Sequence, residues 1–170
     1  MTRCAGAIGA LVAAALLAQG ASAQMFVPTG RDTLRGLPGV EVVVEPLQPA
    51  LERSGLTQAG IRADVVERLR GGGIVVYGSQ QENPSPAKPF LYVHLNALRL
   101  PEQDLYAVAV QVHLRQTLQS PATASNIVNA MTWDAHNVVG VTGADLPLVR
   151  DEIREYVDRF IADWKAVRER

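Results

Sequence analysis

The sequence predicts an α+β domain: a two-layer mixed sheet in the element order β-α-β-β-β-β-α, with both helices packed on one face. Three observations favour this fold. Several segments alternate apolar and polar residues with a period of two, as half-buried strands do. Two longer segments repeat apolar residues at every third or fourth position, as amphipathic helices do. The length of 170 residues corresponds to about one domain.

The first strand, the first helix and the second strand are predicted to form a βαβ unit with parallel strands. Residues 40–44 place a valine at every second position, which favours a strand. Thr57 is a suitable N-cap for the helix that follows. The apolar stripe of this helix consists of Ile61, Val65 and Leu69. Three glycines at 71–73 end the helix, and the apolar residues 74–77 form the second strand.

The next two strands are predicted to form a hairpin that turns at 101–104. This turn pairs Leu100 with Leu105, and the register continues with residues 97, 95, 93 and 91 opposite 108, 110, 112 and 114. An apolar residue then faces an apolar residue in every pair, and a slip of one residue would destroy this match. The open face of the hairpin is predicted to carry Tyr92, His94, Asn96, Ala109, Gln111, His113 and Arg115.

The remaining elements are a fifth strand and a long helix. The strand is predicted between Ser125 and Ala135, with Trp133 as its large apolar anchor. The helix is predicted to begin with Asp145 as cap and Pro147 in its first turn. Its apolar stripe consists of Leu146, Val149, Ile153, Tyr156, Val157, Phe160, Ile161, Trp164 and Val167. Acidic and basic residues alternate between these positions, which predicts a solvated, ion-paired helix face.

The first 23 residues match a cleavable export signal. Arg3 supplies positive charge, residues 5–18 form an apolar run, and Ala21-Ser22-Ala23 is a small-residue cleavage site. An uncleaved anchor is the weaker interpretation, because the run is shorter than the roughly 20 residues that span a bilayer. We expect cleavage after Ala23, a periplasmic or secreted protein, and no membrane span in the mature chain.

The mature chain is expected to contain an irregular arm over 24–39 and a single α+β domain over 40–170. Loss of Arg3 and Cys4 with the leader leaves 15 basic and 17 acidic residues, a formal charge of −2, and no cysteine. A charge so close to zero argues against binding of nucleic acid. A chain without cysteine has no disulfide framework, so its stability must come from packing.

The residues that could carry chemistry predict no catalytic, cofactor-binding or metal-binding site. His94 and His113 are diagonal neighbours on the predicted open face, but zinc needs three or four protein ligands and His136 is expected in a loop after the fifth strand. The triple glycine follows a helix, whereas phosphate-binding glycines precede one. The sequence has no Gly-x-Ser-x-Gly elbow. We therefore expect structural or surface histidines and no cofactor.

Motifs spread over residues 37–167 carry a resemblance to a known family. They are Gly-Val-Glu-Val-Val-Val-Glu at 39–45, Gly-Leu-Thr at 55–57, Asp-Val-Val-Glu-Arg-Leu-Arg at 64–70, Gly-Ile-Val-Val at 73–76, Leu-Tyr-Val at 91–93, the strand at 106–114, Trp133, and Phe-Ile-Ala-Asp-Trp at 160–164. In these motifs the chain resembles a family of small, uncharacterised secreted bacterial proteins. The resemblance supports the predicted fold and implies no catalytic residues.

Two functions are compatible with these features. Export, the lack of a catalytic motif and an open sheet face favour a non-catalytic exported domain, a protein-interaction or envelope-associated module. It would bind an unknown protein partner, or form a homodimer, through the open sheet face. The alternative is a small-ligand-binding protein or hydrolase with a pocket near the 78–89 and 136–143 loops.

Overall fold

The computed structural model describes residues 30–103, 105–120, 122–123 and 125–169. The predicted signal peptide over 1–23 and the first part of the predicted arm, 24–29, lie outside the described residues. The helices and strands are β1 (Val40–Val44), α1 (Pro49–Arg53), α2 (Gln58–Gly71), β2 (Val76–Tyr77), β3 (Phe90–Leu100), β4 (Leu105–Gln119), β5 (Asn126–Thr142) and α3 (Val149–Arg168). The structure also contains the 3₁₀ turns Gly30–Leu34, Pro101–Gln103 and Leu146–Leu148.

The five strands form one mixed sheet in the order β2-β1-β3-β4-β5. β1 runs parallel to both of its neighbours, β2 and β3, whereas β4 runs antiparallel to both of its neighbours, β3 and β5. Helices α2 and α3 pack on one face of the sheet, with the core between the two layers. The predicted α+β fold class is confirmed, and so are the parallel strands of the βαβ unit.

The β3–β4 hairpin has the predicted register. Leu100 pairs with Leu105, and the ladder continues to Leu91 opposite Leu114 without a slip. The core side of this hairpin is lined by Leu91, Val93, Leu95, Val108, Val110, Val112 and Leu114, all buried. The residues between them face away from the helices, because side chains along a strand alternate between its two faces.

β5 is longer than predicted. It ends at Thr142, not at Ala135, so the placement of His136 in a loop is wrong. Residues 136–142 pair with β4 as far as Leu105. This stretch contains three valines, which favour a strand, and no proline that would interrupt the pairing. It can therefore continue to pair with β4, which is long enough to lie beside it.

The two longer helices begin differently. At α2 the Thr57 hydroxyl accepts a 3.0 Å hydrogen bond from the Gly60 amide, which is the predicted N-cap. At α3 the turn Leu146–Leu148 comes first, with Asp145 at its N-cap position and Pro147 in its first turn, as predicted. The Asp145 side chain, however, caps no helix amide and accepts a 2.7 Å hydrogen bond from the Thr142 hydroxyl. The last residue of β5 thus binds this carboxylate.

The core is closed by α3 and by the N-terminal 3₁₀ turn. The predicted apolar stripe of α3 is buried, and the ring of Phe160 meets that of Trp133 edge-on at 5.0 Å. Leu34, in the segment predicted as an irregular arm, is fully buried. Among the described residues, no helix has the length and apolar character required to cross a membrane.

Candidate functional site

The open face of the sheet is the side that turns away from α2 and α3. Its residues lie in rows, because the register places one residue of β3, β4 and β5 side by side. Three neighbouring rows form what we call the polar half: Phe90, Arg115 and Met131; Tyr92, His113 and Asp134; His94, Gln111 and His136. The next two rows form the apolar half: Asn96, Ala109 and Val138; Leu98, Ala107 and Gly140.

All three histidines of the chain lie in the polar half. His94 and His113 are diagonal neighbours, as predicted. His136 lies on β5 in the same row as His94, with Gln111 of β4 between them. Two carboxylates, which were not predicted on this face, lie beside these histidines. Glu45, which follows β1, pairs with His94, and an oxygen of Asp134 lies 2.8 Å from Nδ1 of His136.

The carboxylate of Glu45 is held in its charged form. Hydrogen bonding from the Tyr92 hydroxyl lowers the pKa of Glu45, and its contact with His94 acts in the same direction. Burial raises the pKa of Tyr92, and the charge of Glu45 raises it further. Glu45, Tyr92 and His94 therefore form a polar cluster that links β1 to β3.

Tyr92, His113 and Arg115 form a stack. The rings of Tyr92 and His113 are nearly parallel, with centroids 5.2 Å apart and an interplanar angle of 7°. The guanidinium carbon of Arg115 lies 5.3 Å from the Tyr92 centroid, within the range of a cation–π contact. These contacts hold the imidazole and the guanidinium in defined positions on the face.

His113 is the buried member of this group. It is 6% exposed, and its Nε2 has no hydrogen-bond partner among the described residues. Burial lowers the pKa of His113, and the positive charge of Arg115 lowers it further. The ring is therefore neutral at neutral pH and can donate or accept a hydrogen bond according to its tautomer.

A cavity of about 310 Å³ opens on the polar half. It is lined by Gln111, His113, Arg115, Met131, Asp134 and His136, all from β4 and β5. No set of three or more metal-binding side chains in the described part of the chain is placed to hold a metal ion. The arrangement suits binding through hydrogen bonds and charge.

The apolar half carries exposed aliphatic side chains. Leu98 and Val138 are each 65% exposed. The small residues Ala107 and Ala109 lie between them on β4, and Gly140 lies beside Ala107 on β5. A contiguous apolar surface of this kind is typical of a contact site.

The helical side of the molecule carries paired charges. Asp64 of α2 accepts hydrogen bonds from Arg150 at 2.6 Å and Arg154 at 3.0 Å, and Arg68 pairs with Asp158 at 2.7 Å. These pairs border a groove of about 760 Å³ between α2 and α3. Within α3, Arg154 also pairs with Asp151 at 2.6 Å, a spacing of three residues that fits the predicted ion-paired helix face, whereas the pairs between α2 and α3 were not predicted.

The triple glycine ends α2, as predicted. Gly72 is the C-cap, and its amide donates to the Arg68 carbonyl. The glycine amides therefore lie at the negative end of the helix dipole, where an anion is disfavoured.

Comparisons with known proteins found no match to this chain among family models, curated proteins or solved structures. The resemblance to small secreted bacterial proteins therefore stays a prediction.

Proposed function

We propose that this chain is an exported, non-catalytic domain that binds a protein partner through the open face of its sheet, with a second copy of the chain as the first partner to test. The observation that carries the proposal is the apolar half, where Leu98 and Val138 are exposed on the same side of the sheet. Face-to-face packing of two sheets, about 10 Å apart, would bury such a surface.

The pattern of side chains supports a specific contact. The small residues Ala107, Ala109 and Gly140 let an opposing surface approach closely. The polar half beside them carries both signs of charge, with Glu45 and Asp134 near Arg115. Mixed charge around an apolar centre is the usual anatomy of an interface and favours correct orientation of the partner.

Export to the periplasm or to the medium is the second part of the proposal. It rests on the leader sequence, with cleavage after Ala23. N-terminal sequencing of the protein recovered outside the cytoplasm should begin at Gln24. A protein that stays cytoplasmic with Met1 in place would contradict export.

The test of the interface uses charged substitutions on the face. Leu98→Glu combined with Val138→Glu should abolish self-association measured by light scattering, or capture of a partner from the exported fraction. Leu148→Glu is the matched control, because Leu148 is similarly exposed, at 58%, but precedes α3 on the other layer. The proposal fails if the parent protein is monomeric and captures nothing, or if the double variant behaves like the control.

A small-ligand-binding protein is the second candidate, and the cavity beside His136 favours it. In the structure this cavity lies on the open face, and none of the residues that line it comes from the 78–89 loop. A panel of metabolites and metal ions that leaves the melting temperature unchanged would count against this candidate.

A further inference from the structure

We propose that the polar half binds a compact oxyanion, a carboxylate or a phosphate group of a small molecule, in the cavity between Arg115 and His113. The cavity of about 310 Å³ is at the lower limit of small-molecule pockets, which suits a ligand of few atoms. The proposal is independent of partner binding through the apolar half.

Arg115 is the first reason. No acidic oxygen among the described residues lies within ion-pair distance of its guanidinium, and its buried Nε has no hydrogen-bond partner there. Glu45 is influenced by the charge of Arg115 from a greater distance, while contacting His94. A planar guanidinium positioned by stacking on Tyr92 matches the geometry of a two-oxygen anion.

His113 is the second, independent reason. This side chain is more than nine-tenths buried, lines the same cavity, and has an unpartnered Nε2. Buried nitrogens without partners are rare in folded proteins, because an unmade hydrogen bond is costly. Both nitrogens belong to neighbouring side chains, His113 and Arg115, that line one cavity, and we propose that a bound oxyanion supplies the missing hydrogen-bond partner.

The far wall of the cavity limits the kind of anion. The carboxylate of Asp134 lies there, 2.8 Å from Nδ1 of His136. Asp134 would repel a second bare anionic group and accept a hydrogen bond from a hydroxyl. The ligand therefore carries one oxyanion toward Arg115 and, where it is larger, a donor toward Asp134.

The experiment titrates the purified full chain with inorganic phosphate and, separately, with lactate, a hydroxy acid with a single carboxylate. Sodium chloride at equal ionic strength is the reference. Binding is followed by calorimetry and by the NMR shifts of the His113 and Arg115 side chains. We expect saturable binding of at least one anion and none of chloride. Binding of phosphate alone or of lactate alone would identify which oxyanion the site prefers.

Substitutions locate the site. Arg115→Met should weaken binding by about ten-fold or more, the effect of losing a charge-assisted hydrogen bond. His113→Phe, which keeps a ring on Tyr92, should also weaken it. Arg53→Met, at an exposed arginine on α1, is the matched control and should bind like the parent. If Arg115→Met does not fold, Arg115→Lys serves, with weaker binding expected from loss of the planar fork.

Three results would overturn the proposal: no saturable binding of either anion, equal shifts with chloride, or unchanged affinity in the folded Arg115 and His113 variants. The Leu98→Glu, Val138→Glu double variant should bind the anion like the parent. Its result separates failure of this site from failure of the proposed interface.

Discussion

Replacing Asp163 by alanine tests how the N-terminal turn, β5 and α3 are held together. Asp163 lies on α3 and is 7% exposed. One carboxylate oxygen accepts a 2.9 Å hydrogen bond from Nε1 of Trp133 on β5, and the other lies 2.9 Å from Nε of Arg31. One side chain thus connects three segments that are distant in the sequence.

The two contacts of Asp163 differ in expected strength. The bond to Trp133 is buried, and loss of its charged acceptor leaves a buried donor unpaired, which costs about 1–3 kcal/mol. The Arg31 side chain is 61% exposed, and an exposed ion pair of this kind contributes about 0–1 kcal/mol. We therefore expect Asp163→Ala to lower the free energy of unfolding by about 2–3 kcal/mol, and Arg31→Ala by less than about 1 kcal/mol.

Urea unfolding followed by circular dichroism measures both variants. The m-value should be unchanged, because the surface exposed on unfolding stays the same. Asp163→Asn should give an intermediate loss, since its amide oxygen still accepts from Trp133. The reasoning is refuted if Arg31→Ala costs as much as Asp163→Ala, or if Asp163→Ala costs less than about 0.5 kcal/mol, the usual range of a surface change.

Three further predictions concern single positions. Gly39→Ala would place a Cβ 2.5 Å from the Val75 carbonyl oxygen and should cost about 1–3 kcal/mol in urea unfolding, whereas Gly71→Ala, with no atom within 4 Å, should be neutral or stabilising. Thr57→Ala removes the N-cap of α2 and should cost about 1 kcal/mol, whereas Thr57→Ser should retain most of the stability; equal losses would exclude capping as the cause. Folding lowers the pKa of His113, so the unfolded chain binds this proton more readily than the folded chain does. The free energy of unfolding is therefore unaffected by this proton above the unfolded pKa, near 6.5, and falls as the pH drops from there through the folded pKa. His113→Phe should therefore reduce the fall in melting temperature below about pH 6.5, and an unchanged pH profile would contradict this assignment.

The β3–β4 hairpin and the two long helices could be predicted from the sequence because their signals are local. The register from Leu100 and Leu105 to Leu91 and Leu114 follows from a short turn and a period of two. The burial of the α3 stripe follows from a period of 3.6, and the start of α2 follows from Thr57. Each of these features depends on residues within one helix or within two strands joined by a short turn.

The end of β5 and the start of α3 could not be predicted in the same way. Pairing of residues 136–142 depends on β4 being long enough to continue beside them. The Asp145 side chain has a local partner, the Thr142 hydroxyl, that competes with helix capping. In both cases local propensity permits two outcomes, and the neighbouring segment decides between them.

The polar half likewise contains residues that the sequence predicts and residues that only the tertiary structure brings together. The sequence by itself determined that Tyr92, His94, His113 and Arg115 share the open side of one hairpin, because alternation along paired strands requires it. Only the tertiary structure decided that Glu45, Asp134 and His136 join them, and that Trp133 meets Asp163. Strand order and helix packing bring these groups together, and Glu45 and His94 are 49 residues apart in the chain. A periodic pattern within a single segment does not indicate which strands become neighbours.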